Sequence, residues 1–114
     1  MDSISSIVIL KAMDGLSMRA KATAQNIANA NSPGYRPVKV SFEESLKAAS
    51  KRSAQDIQNV QPQMFTVTSD NRDGDLRIDL EMAAATRTAG RYGTLAELLN
   101  RRLQLEALSV TGSR

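Results

Sequence analysis

Apolar residues spaced alternately four and three apart mark both ends of this 114-residue chain. Ile9, Met13, Leu16, Ala20, Thr23, Ile27 and Ala30 form one series; Ile78, Met82, Ala85, Ala89, Tyr92, Ala96, Leu99 and Leu103 form the other. Such spacing gathers a series onto one stripe of an α-helix and excludes a strand, whose side chains repeat every second residue. Two stripes in one chain predict an all-α fold in which two long terminal helices pair as an antiparallel, coiled-coil-like hairpin. The expected bounds are 1–31 and 76–112 for the helices and 32–75 for the connecting segment, all within one domain. Helices of about 27 and 35 residues would span roughly 40 and 50 Å.

Local signals agree with these bounds. Asp2 or Ser3 is the candidate N-cap of the first helix. Pro33-Gly34, preceded by Asn29 and Asn31, stops it. On the second helix Leu95, Leu98, Leu105 and Leu108 lie off the stripe and widen the apolar surface beyond what one partner helix covers. Gly15, Gly90 and Gly93 each cost about 1 kcal/mol relative to Ala inside a helix. They read equally well as tolerated defects and as points of close approach by a neighbouring helix.

The connecting segment gives weaker signals. Val38 to Phe42 alternates like a short strand, and Met64 to Thr68 is a second candidate. Glu43 to Arg52 reads as a short helix with Leu46 and Ala49 on one side, and Ser53 to Gln63 is polar. Ser69 to Asp75 is a turn. The segment is expected to be largely irregular, with at most short strands. Although 41% of residues are hydrophobic, many are alanine and only four are aromatic, so a core made by this chain alone is thin. Partners, including copies of itself, are expected.

Several functions are disfavoured by residue content. With no Cys and no His, the strongest side-chain nucleophile and the commonest general base are missing, and no disulfide or thiolate metal site can form. The loop around Gly74 fails as a calcium loop: with Gly74 sixth, Ser69 is first and Leu80 twelfth, both wrong ligand types. No phosphate-binding glycine motif occurs. The expectation is a non-enzyme with no cofactor and no metal. A net charge of +3 from 15 basic and 12 acidic residues, without a basic face interleaved with aromatics, argues against nucleic acid. A small basic nucleic-acid-binding helical module remains the reading from another class, and a small helical export chaperone is a third. Ile7 to Leu10 is too short for a signal core or membrane span, so neither a cleaved signal nor membrane insertion is expected.

One stretch is more specific than periodicity. Gln25-Asn26-Ile27-Ala28-Asn29-Ala30-Asn31-Ser32-Pro33-Gly34-Tyr35 resembles the N-terminal signature of bacterial flagellar rod and hook proteins, approximately N-I-A-N-x-x-[ST]-P-G-Y, with Asn26, Ile27, Ala28, Asn29, Ser32, Pro33, Gly34 and Tyr35 at the fixed positions. Phe42-Glu43 followed by Leu46 is similar to the F-[ED]-x-x-L of the FlgB-type proximal rod proteins. Asp79 to Ala83 through Arg91-Tyr92, with Glu81 and Tyr92 eleven apart, resembles the family's C-terminal motif. The middle is short for the family, and Leu95 to Leu108 matches it only in general character. The FlgC type is the nearest rival.

The resemblance implies a structural subunit of the proximal rod in the flagellar basal body, part of the drive shaft that transmits torque for motility. It implies periplasmic placement after type III export without a cleaved signal. The implied partners are copies of itself, other rod proteins, the adaptor protein at the rod base, the membrane-ring protein and the export apparatus. Ile9, Met13, Leu16, Ala20, Ile27, Ile78, Met82, Ala85, Ala89, Tyr92, Leu99 and Leu103 are the expected packing seam.

Overall fold

The 64 × 26 × 14 Å molecule is described by a computed structural model over residues 3–67 and 78–112. Helix α1 (Ser3–Ala28) leads to strand β1 (Val38–Ser41), the short helices α2 (Glu43–Ser50) and α3 (Ala54–Gln58), strand β2 (Gln63–Thr66) and helix α4 (Ile78–Gly112). The Asp2 and Ser3 caps, Thr68, the 69–75 turn and the 76–77 start of the second helix lie outside the residues and side chains described. The chain is mostly helical, with two long terminal helices. They run antiparallel: Asn26 meets Glu81, while Ala12 and Leu16 line one groove with Leu95. No described helix is long and apolar enough to cross a membrane.

The connecting segment is more ordered than its composition suggests. β1 and β2 pair antiparallel from Val38↔Thr66 to Ser41↔Gln63. In β1 Val40 is buried while Lys39 and Ser41 are exposed, as its alternation predicts. In α2 Leu46 and Ala49 face inward. The stretch read only as polar contains α3, started by Ser53, whose hydroxyl accepts from the Asp56 N–H at 3.1 Å. This turn delivers Ile57, fully buried, and Val60 into the core, and Lys11 donates to the Val60 carbonyl at 3.2 Å. Over residues 32–67 the expected short strands are present, and the two short helices leave less irregular chain than expected. One apolar residue per polar turn leaves no periodicity to detect, yet a single buried isoleucine is worth about 2–4 kcal/mol.

The core lies where α1 meets this segment: Leu16, Ala22, Val40, Phe42, Leu46, Ala49, Ile57 and Val60. Helix α1 thus has two occupied faces, one toward β1, α2 and α3 and one toward α4. Ile9 and Leu16 of the expected seam are buried, Met13 and Ile27 half-buried, and Ala20 exposed.

On α4 the stripe has the expected period but a different phase. Thr88 is buried, and Glu81, Ala84, Ala85, Leu95, Ala96, Leu99 and Arg102 are half-buried. Ile78, Met82, Ala89, Tyr92 and Leu103 are exposed. The covered series 81, 85, 88, 95, 99 and 102 shares Ala85 and Leu99 with the expected seam but is rotated from it by about 60°. The seam drawn through the larger apolar residues is corrected accordingly. Close helix approach selects small Thr88 and Ala85, and Glu81 turns inward because a polar partner waits there.

The helix-closing junction as candidate functional site

The residues that end α1 bind the rest of the fold through one side chain. Asn26 is 2% exposed. Its amide Nδ2 donates to the Val38 carbonyl at 3.0 Å and to Glu81 Oε2 at 3.3 Å. Its Oδ1 accepts from the Val38 N–H at 2.9 Å and from the Tyr35 hydroxyl at 2.7 Å. All four hydrogen-bonding positions of the amide are used. Asn26 thereby presents to β1 the donor and acceptor a neighbouring strand would offer, while also reaching the loop and α4.

The intervening residues make that return possible. Asn29 donates from Nδ2 to the Gln25 carbonyl at 2.9 Å, beside its own backbone N–H, which donates to the same oxygen at 3.1 Å. Ser32 donates to Asn29 Oδ1 at 3.4 Å, and the Tyr35 N–H donates to the Ser32 carbonyl at 3.2 Å. Ser32-Pro33-Gly34-Tyr35 has the signature of a type II turn: Pro second, Gly third, and φ +73° at Gly34. A side chain at Gly34 would be strained in this conformation. The turn reverses the chain so that the Tyr35 hydroxyl meets Asn26 just before the α1 terminus at Ala28. Ile27 is half-buried; Ala28, Ser32, Pro33 and Gly34 are exposed.

A second knot lies farther back along α1, at Gly15 and Arg19. The Phe42 ring, 5% exposed, packs on Gly15, where an added Cβ would overlap the ring carbons. Of the two readings left open for the helical glycines, neither holds as stated at Gly15: it is a point of close approach, by the Phe42 ring and not by a neighbouring helix. Gly90 and Gly93 have open space at the corresponding position. Arg19 covers the ring, its guanidinium carbon 4.9 Å from the centroid, and forks onto Glu43 at 2.6 and 2.8 Å while donating to the Val40 carbonyl at 2.9 Å. This guanidinium hydrogen bonding holds the Glu43 carboxyl below its ordinary value, outweighing the upward push of partial burial. The role of Arg19 was missed in the sequence, and Gly15 was named without its partner, because no local pattern ties them to residues 42 and 43.

Of the candidate site residues, Asn26, Asn29, Ser32, Tyr35 and Glu81 join one hydrogen-bonded network, and Phe42 anchors the second knot. Tyr92, 40% exposed on α4, joins neither. No group of three or more His, Cys, Asp or Glu side chains able to hold a metal occurs among the described residues. The arrangement holds elements together. Compared with known proteins, the chain matches no protein-family model and no curated protein at a significant level.

Proposed function

We propose that this chain is a non-enzymatic structural subunit of the proximal rod of the bacterial flagellar basal body, of the FlgB type. The observation that carries the reading is the Asn26 junction. The residues that make the chain resemble flagellar rod proteins, from Asn26 to Tyr35 with Glu81, are spent on closing α1 against β1 and α4. A motif used this way fixes the angle between elements in a building block, as an assembly subunit requires. The exposed apolar residues of α4 supply what the single chain leaves uncovered: Met82 58%, Leu103 51%, Leu105 62% and Leu108 66% exposed. Exposed apolar side chains on several sides of a helix supply surface for protein–protein contact.

The proposed partners are copies of this chain, other rod proteins, the adaptor at the rod base, the membrane-ring protein and the export apparatus. Its proposed location is the periplasmic part of the basal body, reached by type III export. Fractionation of purified basal bodies is the test. Recovery of the chain with the rod supports the assignment; recovery from the cytoplasm alone overturns it. Leu16→Asp and Leu99→Asp are expected to abolish rod assembly and motility.

A further inference from the structure

Helix α4 outruns its partner. With Asn26 opposite Glu81 and the helices antiparallel, the start of α1 at Ser3 falls near residue 104. Residues 105–112 continue as helix with exposed Leu105 and Leu108. That overhang of eight residues is roughly 12 Å long.

An open groove elsewhere on the molecule has matching dimensions. Its floor is Ala12 and Leu16 of α1, Phe42, and Leu95 of α4, and Glu43, whose charge is met by Arg19, also lines it. One wall runs along α4 from Arg87 to Leu95, again about 12 Å. Gly90 and Thr94 leave that wall low, with nothing within 4 Å of where a Gly90 Cβ would stand. Arg87 and Arg91 on its rim are exposed and have no acidic partner among the described residues. Glu106, the one acid of the overhang, likewise has no ion pair there.

We infer that the α4 overhang of one copy docks into the Leu16–Phe42–Leu95 groove of a second copy, with Leu105 and Leu108 on the apolar floor and Glu106 toward Arg87 and Arg91. Groove and overhang cannot meet within one chain, because Arg91 and Leu108 are about 25 Å apart on the same helix. The contact joins two different surfaces, so it propagates from copy to copy unless two copies exchange their overhangs reciprocally. This inference rests on the assembly reading above and names the surface it uses.

The chain has no cysteine, which makes the test direct. Thr94→Cys and Leu108→Cys are both exposed substitutions that leave the core intact. Full-length chains carrying one each, mixed and mildly oxidised, should give a disulfide heterodimer at least fivefold above a Lys51→Cys control mixed with Leu108→Cys. A chain carrying both should give a ladder of multimers. Glu106→Arg should remove most of the cross-link, and adding Arg91→Glu should restore it. Equal dimer yield from Leu108→Cys alone would mean that overhangs pair with each other and would overturn the proposal, as would a yield at control level. Cross-linking failure with the chain still recovered in basal bodies would sink the groove alone. Cross-linking by a chain found only in the cytoplasm would sink the rod assignment alone.

Discussion

Asn26 and Val38 exchange two hydrogen bonds, amide to carbonyl at 3.0 Å and N–H to amide oxygen at 2.9 Å, so a helix side chain occupies the edge of a strand. Because Asn26 is buried, removing it strands the Val38 groups and the Tyr35 hydroxyl. Asn26→Leu should therefore destabilise the full chain by about 2–4 kcal/mol in urea unfolding, the scale of two to three lost buried hydrogen bonds. Asn26→Asp should fare no better. It keeps the acceptor but turns a carboxylate toward the Val38 carbonyl and Glu81.

The glycines separate by what surrounds them. Gly15→Ala forces the Phe42 ring from its seat and should cost about 1–3 kcal/mol. Gly93→Ala meets open space in an ordinary helical conformation and should stabilise by about 0.5–1 kcal/mol. Thermal unfolding of the two variants should move in opposite directions.

The Arg19–Glu43 fork carries a pH signature. Its folded-state carboxyl titrates below the ordinary 4.5, so the pair's stabilisation is present above that value and lost as pH falls through the depressed one. The Glu43 side chain is 53% exposed, which keeps the effect modest. The melting temperature of the parent chain should exceed that of Glu43→Gln at pH 7. The difference should shrink below pH 4.5 and vanish once Glu43 is protonated.

The phase of α4 is testable by substitution. Thr88→Arg places a long charged side chain at a buried site and should cost more than about 2 kcal/mol. Met82→Ala, at a residue 58% exposed, should change monomer stability by less than about 0.5 kcal/mol. Equal costs for the two would return the interface to the stripe drawn through Met82.

Much of the architecture was legible locally. The two long helices, the β1 alternation, and Leu46 and Ala49 on the inner side of α2 all follow from periodicity. The turn at Pro33-Gly34 follows from backbone restriction. Ile57 was not legible, because one apolar residue in a polar five-residue helix has no pattern around it. Of the junction, Asn26 and Tyr35 could be named, whereas their meeting at 2.7 Å depended on where the turn sent the chain.

By itself the sequence determined which segments are helical, where the first one ends, and that no thiol or imidazole chemistry takes place. Those properties come from spacing, proline and glycine, and residue content, which act within a few residues. Only the tertiary structure decided which side of α4 turns inward, that the Phe42 ring sits in the Gly15 notch, and that Arg19 reaches Glu43 24 residues away. Each depends on the distance and shape of a surface remote in the chain. Close approach favoured small Thr88 and Gly15 at the contacts, while larger residues such as Met82 and Leu105 stayed outside.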